Sequence, residues 1–456
     1  MVANPNMMEF KGSQTSGKVF TLDIEAGAIA QVMAFLNHPA FAGCQIRIMP
    51  DVHQGSGSVI GFTSPVGQGV IPYVIGVDIG CGIASVQLPE IVNGFDFQKF
   101  DDHLRKAVPS GFNVRDKAHP NLVRLFLRFL GNNAQWVAFQ LELARVATKV
   151  GADFNRVILS IGSLGGGNHF VEVDEAKSDG RKWVTIHSGS RNFGLKVADF
   201  HQMKAMRAQG TMPVSKKGKM VSKPTGLEWL EGADAEEYLH DMRIAQQVAT
   251  LNRLVMFDAL LDPVGDWQNW QMIESVHNYI GDDDIIRKGA VSALAGQPVI
   301  IPWNMRDGLI LGEGLGNADW NNSAPHGAGR KMSRGEAKRT LSLHAYEQQM
   351  QGAGIWSSCV SEATLDEAPG AYKDSAQVEA CIGDTVTVKD RLKPVYNFKA
   401  SEEPRKKAQR DLRAFKEAQA DTASVADLTL DGQPDKWDIL DPGGWDDPLF
   451  PQGGGK

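Results

Sequence analysis

Long apolar runs are missing from this chain of 456 residues. No stretch approaches the roughly 18 residues of a membrane span, so no membrane partner is expected. The opening MVANPNMMEFKGSQTSGK is polar and lacks the apolar core of a secretory signal. Cysteine is scarce, with four thiols at Cys44, Cys81, Cys359 and Cys381. That excludes a disulfide-built scaffold and fits a cytoplasmic, reducing setting with free thiols. Excess positive charge is absent as well, because 47 Lys and Arg face 54 Asp and Glu for a net charge of −7. Bulk electrostatic binding of nucleic acid is therefore disfavoured, and such a partner needs a local basic patch or bound cations. Two nucleotide signatures are also missing. No GxxxxGK[ST] occurs, and no GxGxxG follows a strand with a later ribose-binding acid, so neither a P-loop nor a dinucleotide fold is indicated.

What remains is an ordinary globular balance, 42% hydrophobic and 22% charged, which excludes collagen, coiled coil and wholesale disorder. The length suits two or three average domains, or one large domain with insertions. Residues 1 to about 200 are punctuated by glycine. VIPYVIGVDIG (70–80), NRVILSIG (155–162) and KWVTIHSG (182–189) read as buried strands. Residues 121–150 carry apolar side chains at three-to-four spacing and predict one or two helices. A polar, basic loop, SKKGKMVSKPTG (215–226), reads as a surface insertion near 205–230, and residues 233–261 as a helix. Residues 285–400 return to glycine-bounded strands and loops. Residues 401–456 read as an appendage, a charged helix and an acidic tail that packs only where Trp437 or Trp445 finds a groove.

The chemistry concentrates in short glycine-flanked motifs. VDIGCG (77–82) sets a carboxylate, Asp78, three residues from a thiol, Cys81. Together they suit a divalent transition metal, although a buried cysteine beside a turn aspartate is the plainer reading of that motif alone. Four of the eleven histidines stand in comparable settings: His169 in GSLGGGNHFVEV, His187 in TIHSGSRNFG, His277 in ESVHNYI and His326 in NNSAPHGAGR. Neutral imidazole is both a common metal ligand and a nucleophile toward phosphorus. His53, in MPDVHQGSGSVIG, is intermediate, and the other histidines lack such context. The loops GSLGGGN (162–168) and HGAGR (326–330) offer successive backbone amides for an anion, with Arg330 as a bidentate phosphate donor.

PDVHQGSGSVIG, VIGVDIGCG, GGGNHFVEV, IHSGSR, HNY, RKGA (287–290), SAPHGAGRKMSR and DEAPGAYKD (366–374), in that order, resemble the RtcB family of RNA-splicing ligases. The resemblance runs from about residue 40 to about residue 400. It implies an α/β fold, a single large catalytic domain over 1–400 with mixed β-sheets and surrounding helices. It also implies an enzyme that joins RNA ends carrying a 2′,3′-cyclic phosphate or 3′-phosphate to 5′-hydroxyl ends. The implied cofactors are GTP and two Mn²⁺ ions, and the implied intermediate is a histidine–GMP adduct. On that resemblance His326 is the nucleophile. Asp78, Cys81 and His169 hold one metal, and Cys81, His187 and His277 the other. Asn168, Glu172, Gly327, Ala328, Gly329 and Lys399 contact the nucleotide, and Arg330 and Arg191 the RNA phosphate.

Two features depart from the family pattern. The segment 401–456 extends past the usual end. The loop before the nucleophile, IPWNMRDGLILGEGLGN (301–317), carries Trp303, Asn304 and Arg306 where small residues are usual, and reads as lengthened. That puts nucleotide preference and substrate end in question. Two other readings stay open on the residues: a metal-dependent phosphodiesterase with the same ligands but no covalent histidine, and a non-catalytic RNA-binding accessory. The sequence does not name the natural RNA.

Overall fold

In the computed structural model the described residues are 7–90, 96–212 and 225–400, with backbone only for the strands Val214–Lys216 and Lys219–Ser222. The expected helix and tail at 401–456, with Trp437 and Trp445, lie outside them. Two large sheets carry the architecture. A seven-stranded sheet runs Met272–Val276, Gly82–Gln87, Lys182–Ser188, Phe170–Ala176, Val386–Lys399, Gly308–Gly314, Pro298–Asn304, with every neighbouring pair antiparallel. A six-stranded sheet runs Met8–Lys11, Ser16–Val19, Ile46–His53, Ile60–Pro65, Ile285–Lys288, Asn278–Ile280, and its one parallel pair joins Ser16–Val19 to Ile46–His53. Helices interleave with the strands along the chain, so the expected mixed α/β arrangement in one large domain holds.

The apolar stretch at 121–150 forms two helices, Leu122–Phe129 and Asn133–Lys149. Gly131 separates them, and Asn132 and Gln135 start the second with a reciprocal capping box. The helix expected at 233–261 is Gly232–Leu261. Ten of its last eleven residues, from Leu251 onward, are buried, so its end runs through the protein rather than over it. The main core packs this helix and Ala26–Leu36 against the sheets through Phe35, Phe62, Ile186 and Val255. Each such side chain contributes about 1.5–3 kcal/mol on burial. No helix among the described residues is long and apolar enough to cross a membrane.

Three local expectations fail. Residues 155–162 are not a strand, because Phe154–Ser160 is a helix whose cap, Asp153, accepts the Arg156 amide at 3.1 Å. Residues 70–80 are not a strand either. Pro72 opens a single helical turn, Pro72–Ile75, and a loop then carries Asp78 to Cys81. The segment 301–317 is no long loop, since Pro298–Asn304 and Gly308–Gly314 form a hairpin. Asn304 Oδ1 closes its turn by accepting the Arg306 and Asp307 amides. Trp303 is buried beneath it with Ile301, Ala324 and Ala328.

Within the basic stretch after Arg191–Ala208, Val214–Lys216 pairs with Lys219–Ser222. The chain returns to the body at Leu230, which bridges Val70.

Candidate active site

Strand register gathers the ligand candidates at one end of the seven-stranded sheet. Cys81 immediately precedes Gly82, which faces Ser188 on one side and Val276 on the other. His169 precedes Phe170, which faces His187. His277 follows Val276 at the point where the chain leaves one sheet for the other. Its amide donates to the Cys81 carbonyl at 2.9 Å, and its carbonyl accepts from Gly289 at 2.7 Å. Four neighbouring strands thus deliver a thiol and three imidazoles to one row.

The side chains meet. Cys81 Sγ lies 3.4 Å from His169 Nε2 and 3.2 Å from His187 Nε2. Asp78 Oδ2 lies 2.9 Å from the same His169 nitrogen, and His187 Nε2 lies 3.3 Å from His277 Nε2. His169 Nδ1 donates to the Leu164 carbonyl at 2.8 Å, which orients the ring with Nε2 toward Asp78 and Cys81. Close approach of the loops requires glycine at Gly189, where a Cβ would stand 2.1 Å from Asp78 Oδ1.

Electrostatics favours ligating forms at the imidazoles and carboxylate. Burial, and then the neighbouring His169, hold His187 well below the ordinary histidine value; burial and then His326 do the same for His277. Both are therefore neutral imidazoles with a free lone pair. Burial alone would raise the Asp78 carboxyl. The His169 hydrogen bond, followed by the His169 and Arg191 charges, outweighs it and holds Asp78 well below the usual carboxylate range. Burial and then Asp78 push the Cys81 thiol up. Asp78 Oδ1 and His277 Nδ1 are buried without a hydrogen-bond partner. A carboxylate, a thiol and three imidazoles packed within contact of one another, with buried polar atoms unsatisfied, fit a divalent transition metal. Cys81, His169 and His187 by themselves present three ligand atoms within 4.8 Å of one another.

His326 adjoins this cluster. It follows the strand Ser323–Pro325, and its ring centroid is 4.9 Å from that of His277. Its Nδ1 lies 2.7 Å from Asp51 Oδ2, which also accepts the His326 amide at 3.2 Å. Asp51 is fully buried on the strand Ile46–His53. Gly329, at φ +74°, lets the loop beyond His326 press against the Asp51 carbonyl. His53 sits beside this dyad, its Nδ1 bonded to the Asp51 carbonyl at 3.0 Å and its pKa lowered to about 4 by burial.

The remaining candidates fall in two places. Arg191 opens the helix Arg191–Ala208 with φ +59°. It reaches back to the cysteine–histidine cluster, with Nη1 3.5 Å from His169 Nδ1 and Nη2 donating to the Gly111 carbonyl at 3.2 Å. Lys399 and Arg330 instead share Glu367. Lys399 Nζ is 2.8 Å from Glu367 Oε2 and 3.4 Å from the Asn168 carbonyl, and Arg330 Nη1 is 3.2 Å from Glu367 Oε1. Arg330 also lies over the Tyr372 ring at 5.2 Å. Glu172 is buried, accepts from Asn397, and is pushed up by burial and then by Asp174. Ala328 is buried between Gly327 and Gly329.

Sequence reasoning missed Asp51, Glu367, Asn252 and Arg253. PDVHQG and DEAPGAYKD contain the first two, but beyond His53 no residue of either motif stood out. Nothing local marks the last two, which lie inside the long helix. Asn252 Oδ1 accepts the Gly162 and Ser163 amides at 2.7 and 3.0 Å, and its Nδ2 donates to the Gly189 carbonyl at 3.0 Å. Arg253 Nη1 donates to the Gly80 and Ser188 carbonyls at 2.9 and 2.7 Å. Lys288, of the RKGA motif, is also buried here; burial lowers its pKa against the opposing charge of Asp78.

A family model described as tRNA-splicing ligase RtcB matches residues 31–400. The chain belongs to the RtcB family. It is 31% identical over 405 residues to the RNA-splicing ligase RtcB of Escherichia coli K12, covering 82% of this chain and 94% of that protein. It is 29% identical over 419 residues to the tRNA-splicing ligase RtcB of Aeropyrum pernix, covering 74% and 84%. The RNA-splicing ligase RtcB of Mycobacterium tuberculosis is 28% identical over 399 residues, covering 72% and 90%. The cysteine–histidine cluster and His326 thus stand within a shared RtcB scaffold.

Proposed function

We propose that this chain is an RNA ligase that joins 3′-phosphate or 2′,3′-cyclic phosphate ends to 5′-hydroxyl ends, using GTP and two Mn²⁺ ions. The observation that carries the reading is the juxtaposition of the Asp51–His326 dyad with the Asp78, Cys81, His169, His187 and His277 cluster. Residues 1–400 form the catalytic unit and 401–456 an appendage. The four free thiols suit a reducing cytoplasm.

Asp78, Cys81 and His169 would hold one ion and Cys81, His187 and His277 the other, the thiolate shared between them. Bound there, divalent metal neutralises phosphate charge and stabilises attacking and leaving oxygens. The protein's own residues do the rest. Asp51 holds the Nδ1 side of His326, so Nε2 carries the lone pair. That nitrogen attacks the α-phosphorus of GTP, a P–N bond forms, and pyrophosphate leaves. An oxygen of the RNA 3′-phosphate then takes the GMP, breaking the P–N bond. The 5′-hydroxyl attacks the activated 3′-phosphorus, and GMP departs. A cyclic phosphate end is first opened by water. Arg330 and Arg191 supply phosphate contacts, and Asn168, Glu172, the 327–329 loop and Lys399 the nucleotide contacts.

The test is incubation with labelled GTP and Mn²⁺, denaturation, and measurement of label on protein. Acid-labile label lost in His326→Ala is expected. A phosphodiesterase with the same ligands would retain none, and that result would overturn the reading.

A further inference from the structure

A basic segment next to the metal site has no role in the chemistry above. Residues 105–117 read RKAVPSGFNVRDK, four basic residues against the single acid Asp116, in a chain whose net charge is −7. The segment leaves the end of the helix Phe97–Ala107 and docks on the glycine loop that precedes His169. Ser110 bridges Gly165, the Gly111 amide donates to the Gly165 carbonyl at 2.8 Å, and Leu164 returns a bond to the Pro109 carbonyl at 2.8 Å. The Gly111 carbonyl in turn takes Arg191, whose guanidinium lies against Gly165 and reaches His169. An unbroken series of contacts therefore leads from a metal ligand outward to this segment.

Its outer face is shaped and carries Arg105 and Lys106, while Arg115 turns inward and donates to the Ala107 carbonyl at 2.9 Å. A cavity of about 300 Å³ is lined by Arg105, Lys106, Pro109, Ser110 and Asn113. Asp101 fixes Arg105, its Oδ2 2.7 Å from Arg105 Nε, and the guanidinium is stacked over Phe398 at 4.8 Å. Phe112 stands at the tip with 51% of its surface exposed. Phe112 is thus an exposed aromatic ring in the same short turn as the cavity residues Ser110 and Asn113. A sequence-tolerant single strand offers both complements, bases that stack on an aromatic ring and phosphates that seek the cations.

We infer that the 105–117 segment is a docking site for single-stranded RNA next to the break, with Phe112 as a stacking platform and Lys106 and Arg105 as phosphate contacts. This rests on the proposed ligase function and extends it from the reacting ends to the strand that carries them. A protein partner for the same face is the competing occupant.

The experiment uses the full chain with Mn²⁺, comparing Phe112→Ser and Lys106→Glu with the unaltered protein. Three quantities are read: label transfer from GTP, fluorescence anisotropy with a 5′-hydroxyl RNA of about a dozen nucleotides, and the joining rate against RNA concentration. Unchanged thermal unfolding checks the fold. Phe112→Ser is expected to weaken RNA binding roughly tenfold to a hundredfold, raising KM for RNA and leaving GMP transfer unaltered. Lys106→Glu is expected to weaken binding as well and to flatten its salt dependence. RNA affinity and KM unchanged in both variants would overturn the inference and favour a protein partner. Loss of GMP transfer in both would also overturn it, by making the segment part of the nucleotide site. If the unaltered protein takes no label from GTP, the ligase reading falls instead, and the anisotropy arm still decides whether this face holds RNA.

Discussion

Asp51→Asn separates orientation of the proposed nucleophile, His326, from assembly of the proposed metal site. The carboxylate is fully buried, and its Oδ2 serves both the His326 ring at 2.7 Å and the His326 amide at 3.2 Å. An asparagine of the same shape keeps an oxygen at that place but carries no charge. In the proposed reaction His326 Nε2 attacks phosphorus, positive charge develops on the ring, and Asp51 answers it across the Nδ1–H bond. A hydrogen bond to a charged partner is worth about 1.5–3 kcal/mol against about 0.5–1.5 for a neutral one. The difference of about 1–2 kcal/mol corresponds to a GMP transfer slowed roughly 5- to 30-fold. An amide that turns its NH₂ toward Nδ1 would select the other tautomer and slow the step further. The assay is single-turnover labelling from GTP, paired with joining of an RNA whose 3′ end already carries the diphosphate-linked guanosine. Labelling should slow and joining should not, because no metal ligand is touched. Labelling at the original rate would refute the role of Asp51, and equal loss in both steps would assign it to the fold or the metal site.

How much of this was legible follows from how each residue is held. Cys81, His169, His187 and His277 stood out because glycine and turn residues surround them, and a site needs such backbone. Their convergence depends on register between strands nearly 200 residues apart, which no local pattern specifies. Asp51 was passed over because its partner His326 is 275 positions away, and a lone aspartate after a proline reads as a turn. NRVILSIG was misread as a strand because a short β-branched run fits a buried strand and a buried helix equally. The deciding signal was Asp153 just before it, acting as a cap. The 301–317 segment reads as a lengthened loop because glycine is common in turns and loops. Gly308, Gly312 and Gly314 instead lie within a strand, where Gly308 adopts φ +78° at the turn exit. The helix 232–261 was plain from its length, but its inward-facing Asn252 and Arg253 were not, because a buried polar residue declares itself only through its partners.

Three further perturbations test the site. Cys81→Ser should lower Mn²⁺ affinity and GMP transfer together while the protein stays folded, since a hydroxyl is a poorer ligand that keeps its proton; calorimetric metal binding beside labelling checks it. His326→Ala should take no GMP from GTP yet still join a pre-activated RNA end, whereas His187→Ala and His277→Ala should fail at both steps. The third concerns Arg253, which touches no ligand side chain but fixes two ligand-bearing loops. It is 1% exposed, and one nitrogen, Nη1, binds the Gly80 and Ser188 carbonyls, which flank Cys81 and His187. Its Nε and Nη2 engage Glu274 at 2.8 and 2.7 Å. Arg253→Met leaves the partly exposed Glu274 without its partner and both carbonyls without their donor, about 1–3 kcal/mol for each buried acceptor left unpaired. Arg253→Lys keeps the charge but replaces a planar fork with a single point donor, so it cannot satisfy Glu274 and both carbonyls in the same geometry. The lysine variant should therefore stay folded and recover part of the thermal stability lost in the methionine variant, with Mn²⁺ affinity still reduced. A purely structural arginine would give a different pattern, in which Mn²⁺ affinity in Arg253→Lys equals that of the unaltered protein while only the melting temperature falls. That outcome would detach Arg253 from the metal site and leave it as a bond between helix and sheet.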